Sequence, residues 1–566
     1  MNKPGMVRLC LFSMLISLLL LPSPIAAMAE EEGAGQAPLA REGSKFNLAE
    51  GKSYTVNEPA DGQYPDAGGK LTDGKIGGVD YTDEAWAGFL RGSSREITID
   101  LGGMHSVESI RAGFLQQTES AIRYPNAVSI FVSNNGVHWT ALKHAGPPVP
   151  FWIGPAQKHT FEWNGRIDGV PGAKEQTELA YTRYVKVQFQ TALWVFADEI
   201  EVLGYEGHVQ GAKVPKADKP EYLRPGDRTG GISDLLLLYN GHYHNGLGDW
   251  TKENLIPYIA YVNNDGEPQG WFFDGILYLG LSSPEGRAYE MSLKASNWDD
   301  WKWYLDKTFA DGGDLDELNE AVAYVEDRLG KRKEPYPVVL MIPYPAEPQT
   351  NFGDVDGDGL TENFNAAEVG AEASLANKKK AAAWYIDQVL ERWAAKEYGH
   401  LRLAGLYWLN EEVAPDSTGD AELIRYAGEL VHQHSLNYFW IPRYHAFQFF
   451  TWDQLGFDAA AYQPNHFFQT ESSADRIRDA AQWAKQLGMG MELEFDERIL
   501  TEPDAVQRYF NYLDGANSYG YLKHAFKAYY QGNNALLQAA QHPDPEVRAS
   551  YDVMYQFVKG KYKGGK

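Results

Sequence analysis

Between residues 47 and 204, apolar and polar positions alternate in short runs, SREITIDLG, VESIRAGFL, AVSIFVSNNGVHWTAL, TRYVKVQFQ and ADEIEVLGY, separated by Gly, Pro and Asn. A two-residue period without a helical one predicts short strands, and their spacing predicts an antiparallel β-sandwich over residues 44–206. Residues 207–228 hold neither period and read as a linker. Beyond them the pattern changes. Apolar runs DLLLLYNG, WFFDGILYLGL, YPVVLMIPY, LAGLYWLNEE, YFWIPRYHA, AAAYQPNHFF, GMGMELEFD and HAFKAYYQG are separated mainly by stretches of helical period at 299–329, 371–396, 421–434, 474–487 and 504–515. This order predicts a (β/α)8 TIM-type barrel over 229–540 rather than an open sheet, with a helical tail at 541–566.

The first residues follow neither pattern. A basic start with Lys3 and Arg8, an apolar run from Leu9 to Leu21 and small residues at 27–29 predict a signal peptide, 1–29, cleaved after about Ala29. The run is short for a membrane span, so no membrane insertion is expected. Cys10, the single cysteine, leaves with that segment, so the mature chain has no disulfide or thiolate chemistry. Loss of Lys3 and Arg8 takes the net charge from −26 to −28. Such an anion repels nucleic acid and anionic membranes. The expectation is a secreted, extracellular monomer. Its 16 Trp and 34 Tyr are more than packing requires and suit flat sugar faces.

Candidate chemistry comes from the acids. In GMGMELEFDERI, residues 488–499, Glu492, Glu494 and Asp496 alternate with Met491, Leu493 and Phe495. Successive side chains of a strand face opposite ways. In the seventh strand of a barrel the apolar set packs on the helices and the carboxylates look inward, where active sites form. The fourth strand also ends in acid, Asn410, Glu411 and Glu412. Two facing carboxylates suit retaining glycoside hydrolysis, in which one protonates the leaving oxygen and the other attacks the anomeric carbon, at a separation of about 5 to 5.5 Å. Glu411 and Glu494 are the expected catalytic pair, with Glu492 one pleat deeper.

Other strand ends add hydrogen-bonding and aromatic groups for substrate. These are His242 and His244 after the first strand, Asp274 on the second, Arg443, Tyr444 and His445 after the fifth, Tyr462, Gln463 and Asn465 on the sixth, and Tyr530 and Gln531 on the eighth. A glycan needs that mixture, because its hydroxyls pair with polar groups and its C–H faces cover rings. The two histidines have no third ligand at metal spacing, so no catalytic cofactor is expected.

In the N-terminal part, NLAEGKSYT, KLTDG, ITIDLGG, VSIFVSNNGVHWTAL, RYVKVQF and ADEIEVLG follow the order of discoidin-like (F5/8 type C) domains, which this segment resembles. In similar modules one calcium ties together loops near the chain ends, and the resemblance implies Asp73 and Glu199 as its ligands. Trp86, Trp152 and Trp194 are candidate sugar platforms. DLLLLYNG, WFFDGILYL, FADGGDLDELNEAV, LAGLYWLNEE, YFWIPRY, YQPNHFF and MELEFD resemble the domain-of-unknown-function family numbered 4855, which implies an architecture and no activity. The Asn-Glu pair of WLNEE is similar to the acid/base motif of the large retaining barrel glycosidases, which implies that role for Glu411 and the nucleophile's role for Glu494.

DVDGDGLTENFN, residues 354–365, repeats the first half of an EF-hand-type loop, with Asp354, Asp356 and Asp358 as ligands and Gly359 at the turn. Asn365 stands at the twelfth position in place of the bidentate Glu, with Glu362 or Glu368 as substitutes. A structural calcium is expected there. The sequence therefore reads as a secreted glycoside hydrolase acting on a polysaccharide or glycan. The alternatives are a glycan-binding protein with an inactive barrel, and a lyase using Tyr444 or His445 as base.

Overall fold

The computed structural model describes residues 44–148, 154–165, 178–241, 248–415, 417 and 419–564. Residues 1–29, Trp152, His242 and His244 lie outside the described residues.

The N-terminal module is built on one long strand, Arg95–Gln116. Its first half pairs antiparallel with Tyr54–Val56 and Leu179–Phe189, and its second half with Gln157–Trp163 and Val195–Tyr205. The change of partner follows a register shift between Asp100 and His105. Alternate residues of both halves, Ile97, Ile99, Ile110, Ala112 and Phe114, enter one core with Ile130, Val187 and Phe189. The Phe114 ring meets Phe161 and Phe189 edge-on at 5.5 and 5.1 Å. The two-residue period seen in the sequence is thus the burial period of this sheet.

The C-terminal part is a closed barrel of eight parallel strands. They are β1 (Asp234–Tyr239), β2 (Gly275–Leu279), β3 (Tyr336–Ile342), β4 (Leu401–Trp408), β5 (Asn437–Trp440), β6 (Ala459–Tyr462), β7 (Gly490–Glu494) and β8 (Lys527–Tyr530). Six lie within their expected runs, while β4 begins two residues before LAGLYWLNEE and β5 one residue before YFWIPRYHA. Glycines fix close approaches on both acid-bearing strands. A Cβ at Gly405 would stand 2.2 Å from the Asn437 carbonyl, and one at Gly490 would stand 2.3 Å from that of Phe526.

The helices depart from expectation in three places. First, the stretch 299–329 is two helices, α2 (Trp298–Thr308) and α3 (Asp314–Leu329), broken where Gly312 takes φ +65°. Second, α1 (Lys252–Ile259) and a hairpin of Ala260–Val262 with Pro268–Trp271 stand between β1 and β2. Third, among the described residues, only a 3-10 turn, Phe449–Thr451, joins β5 to β6. The other intervals hold α4 (Ala371–Lys396), α5 (Asp420–Gln433), α6 (Asp475–Leu487) and α7 (Pro503–Tyr519). The C-terminal α8 (Ala535–Gln541) and α9 (Pro545–Val558) are integral to the wall, since Tyr551 and Tyr555 stack on Tyr261 of the hairpin at 5.4 and 4.3 Å.

The interval without a helix is covered by the module. Asn126 donates to the His445 carbonyl, and Gln190 Nε2 donates to the Tyr462 hydroxyl at 3.0 Å. Ser94 Oγ donates to Asp479 of α6 at 3.0 Å, and Trp483 Nε1 donates to Ser94 Oγ at 2.8 Å. A Cβ on Gly146 would meet the Phe450 ring at 2.9 Å, and Ala127 packs with the barrel core. The segment read as a linker also docks at its end. Leu223 accepts from Phe526 N at 2.7 Å and donates to the Met489 carbonyl at 3.0 Å, beside the starts of β7 and β8.

Candidate active site

The C-terminal ends of the strands enclose a cavity of about 410 Å³. Seven strands or the residues just beyond them contribute, and the contributing positions recur every second residue. Leu237 and Tyr239 come from β1, Leu279 and Leu281 from β2, and Tyr407, Leu409 and Glu411 from β4. Ile441 and Arg443 follow β5, Gln463 and Asn465 follow β6, Glu492 and Glu494 lie on β7, and Tyr530 closes β8. That spacing is the inward face of each strand. Met491 and Leu493 are buried on the opposite face. Asp496 has left the strand. It caps the turn Glu497–Leu500 and pairs with Arg498 at 2.9 Å.

Glu494 is 4% exposed. Its Oε2 accepts from Tyr512 Oη at 2.7 Å and from Asn465 N at 2.5 Å. Asn465 holds φ +49°, a left-handed conformation that Asn tolerates better than most residues, and this aims its N–H at the carboxylate. Oε1 carries no hydrogen bond from the described residues, and the side chain lines the cavity. Burial pushes the Glu494 pKa up to about 7, against the two donors that favour its ionised form. Glu411 stands just past β4, where its carbonyl accepts from Arg443 N at 3.1 Å. Burial pushes it up to about 7 as well; Gln463 opposes this, and the charges of Glu290 and Glu494 add to it. Glu492 is 2% exposed and lies deeper, and burial with the charges of Glu494 and Glu411 holds it well above the carboxylate range. Glu412 belongs to the frame. It pairs with Arg443 and accepts from Phe447 N.

Of the expected substrate groups, Arg443, Gln463, Asn465, Glu492 and Tyr530 line the cavity. Five others do not. Asp274 precedes β2 and so sits at the opposite, N-terminal end of the barrel, where it accepts from Ser233 N and Asp234 N. The WFFDG run misled because Trp271 ends the hairpin and the barrel strand begins only at Gly275. Tyr444 turns outward and donates to Asp479, while Tyr462 is held by Gln190 and stacks on Phe449 at 4.7 Å. His445 is buried beside Tyr444, and its carbonyl is bound by Asn126. Gln531 is fully buried and accepts from Leu536 N at the start of α8. The sequence reading missed Glu290, Tyr407, Phe468 and Gln469, which also line the cavity. Tyr407 stood within a recognised strand and its parity marked it as inward. Glu290 lies in an irregular loop with no period to place it.

On the module, Asp73 borders an open surface depression of about 990 Å³. Glu199 lies beneath and accepts from Gly74 N at 3.1 Å. Burial first, and the Asp73 charge among the further causes, push its pKa to about 7. Trp86 is 1% exposed and packs with Phe196 in a small core, so it offers no platform, and Trp194 packs edge-on against Tyr64 at 5.5 Å. In the loop after β3, Asp354, Asp356 and Asp358 bring oxygens within 4.8 Å of one another. Lys380 Nζ stands 2.6 Å from Asp356 and 3.5 Å from Glu362. Asn365 caps Ala367 N and is committed to that turn. Among the described residues no helix is long and apolar enough to cross a membrane.

No curated protein sequence matches the chain. Among solved structures it is similar to chitosan-binding module 1 of a chitosanase/glucanase from Paenibacillus sp. IK-5, at 19% identity over 28% of this chain and 99% of that one, with a TM-score of 0.19. It is similar to a fucose-binding module of Streptococcus pneumoniae at 17% identity, over 28% of this chain and 96% of that one, with a TM-score of 0.20. A Ruminococcus gnavus GH29 fucosidase matches at 20% identity over 28% of this chain and 27% of that one, also with a TM-score of 0.20. The model of one family, described as a domain of unknown function (DUF4855), matches residues 234–556, from the first residue of β1 into α9. That match takes in the whole barrel and more than half of the chain, and the protein belongs to the DUF4855 family.

Proposed function

We propose that the protein is an exported glycoside hydrolase acting on a glycan, with Glu494 as nucleophile and Glu411 as general acid/base. The observation that carries this reading is the pairing of Glu411 and Glu494 across one cavity at the C-terminal strand ends. Burial raises both to about 7, and they differ in their hydrogen bonding and neighbouring charges. Glu494 has two donors on Oε2, which favour its anion and leave Oε1 to attack the anomeric carbon. Glu411 has its ionised form disfavoured by burial and by two neighbouring acids, which keeps a proton available for the leaving oxygen near neutral pH. Aliphatic and aromatic side chains beside Gln463, Asn465 and Gln469 suit a sugar's mixed surface. A lyase has less support, because Tyr444 and His445 lie off the cavity.

In this reading the barrel is a (β/α)8 barrel whose fifth helix is replaced by the module. Calcium fits the donor sets of both candidate sites. At 354–358 three carboxylates converge on a cation position that Lys380 now approaches, and on the module the Asp73 charge disfavours ionisation of Glu199. The test of activity is a glycan screen with wild type, Glu494→Gln and Glu411→Gln, with the configuration of the released sugar followed by NMR. Release of a retained anomer by the wild type alone supports the reading. Equal turnover by all three removes the pair.

A further inference from the structure

Two carboxylates suffice for the proposed chemistry, yet four line the cavity: Glu290, Glu411, Glu492 and Glu494. Among the described residues, Arg443 is the one cationic side chain lining it, and it is paired with Glu412. Glu492 is the anomaly. It is 2% exposed, it faces the cavity, and none of the described residues donates a hydrogen bond to it. Its electrostatic neighbours are Glu494 and Glu411, both acids. A buried carboxyl without a donor is costly, and the cost is relieved when a ligand supplies one.

A metal ion does not fit this deficit. Among the described residues the one trio of acids whose oxygens converge within 4.8 Å is Asp354, Asp356 and Asp358, far along the chain from β7. No three of the cavity carboxylates converge in that way, which suits an organic cation better than a single metal ion. The remaining walls, Tyr407, Phe468, Gln463 and Asn465, suit sugar rings and hydroxyls. A uronic acid would be repelled by the same charges, and a neutral or N-acetylated sugar would leave Glu492 without an ammonium partner.

We propose that the substrate is a glycan bearing free amino groups, with one sugar ammonium seated against Glu492. This rests on the glycosidase reading of the cavity and adds the chemical class. The ammonium brings N–H donors and a positive charge to a carboxyl whose ionised form is disfavoured by burial and by Glu494 and Glu411, so amine binding favours release of the Glu492 proton to solvent.

The test is calorimetric and separates binding from turnover. Glu494→Gln is titrated with a glucosamine tetramer, an N-acetylglucosamine tetramer and a glucose tetramer. The glucosamine tetramer is expected to bind at least about tenfold tighter than either of the others, and adding Glu492→Gln is expected to erase that preference. Wild type titrated with glucosamine itself at pH 6, in buffers of different ionisation enthalpy, is expected to release a proton that N-acetylglucosamine does not release. Equal or tighter binding of an uncharged oligomer, no binding of the glucosamine tetramer, or no proton release overturns the proposal. So does a divalent cation bound with the same dependence on Glu492. If the amine oligomer binds through Glu492 and wild type does not cleave it, the ligand class stands and the hydrolase reading falls. Cleavage of an uncharged glycan without amine binding gives the reverse result.

Discussion

The Tyr512 hydroxyl donates to Glu494 Oε2 at 2.7 Å while accepting the backbone N–H groups of His466 and Phe467 at 3.0 and 3.3 Å. The phenol is thereby fixed in direction and polarised toward the carboxylate by the two donors behind it. Helix α7, which carries Tyr512, thus reaches through the wall to set one oxygen of a β7 side chain.

Tyr512→Phe removes that donor. The ionised form of Glu494 loses stabilisation, so the acidic limb of the pH–rate profile should move upward and kcat should fall by about 10²-fold. The two backbone donors lose their acceptor, costing about 1–3 kcal/mol of stability. A pH profile unchanged from wild type would argue that Glu494 does not act as an anion.

On the proposed roles, Glu411 is expected to set the other limb. With its proton held to about pH 7, activity should fall as pH rises beyond that value. Glu411→Ala should lose activity on natural glycans and recover it with azide on an activated aryl glycoside, whose leaving group needs no acid. Absence of rescue would move the acid/base role to another residue, with Glu290 the next in the cavity.

Glu492 makes a stability prediction with a definite sign. Its folded pKa lies above the ordinary value of 4.5, so the native chain keeps a proton that the unfolded chain gives up. The stability this contributes is complete below about pH 4.5 and is lost as pH rises through the folded value. Glu492→Gln carries no proton to lose. It should melt above wild type at pH 8 and close to it at pH 4, as read by scanning calorimetry. A lower melting temperature at pH 8 would mean that an unseen cation or donor already compensates the charge.

For calcium, chelator should lower the melting temperature by a few degrees, since an ion bound only to the native state adds about 2.7 kcal/mol at a hundred times its Kd. Asp356→Asn and Glu199→Gln divide that effect between the loop and the module. A melt indifferent to chelator in wild type removes both sites.

Asp479 should be sensitive to change. It accepts from Ser94 and Tyr444, and burial pushes its pKa up to about 6. Asp479→Ala leaves both hydroxyls buried without this acceptor and should cost about 2–4 kcal/mol, read by denaturant unfolding. A loss under about 0.5 kcal/mol would show that the Asp479 bonds add little to the seam between module and barrel beside those of Asn126 and Gln190.

Much of this was legible in the residues. The alternation in GMELE gave β7, its inward face and the depth order of Glu492 and Glu494, because a two-residue period is the geometry of a strand. What period cannot give is the path of the chain after a strand ends. Tyr444, His445 and Tyr462 follow or close recognised strands, yet they turn outward because Asp479, Gln190 and Asn126, distant in sequence, hold them there. Asp274 was misplaced because two strands of different sheets read as one apolar run. Glu290 had no element to belong to.

The seam along β5 and β6 bears on how the chain can be cut. A fragment starting at residue 229, where the sequence pattern places the start of the barrel, loses the donor to the His445 carbonyl, the partner of Tyr462 and the cover over Phe450. Those positions lie next to Arg443 and Gln463 on the floor plan of the cavity. Recombinant work on this barrel, or transplantation of it into other scaffolds, has to carry the first module as part of the barrel's own wall and not as a detachable targeting tag.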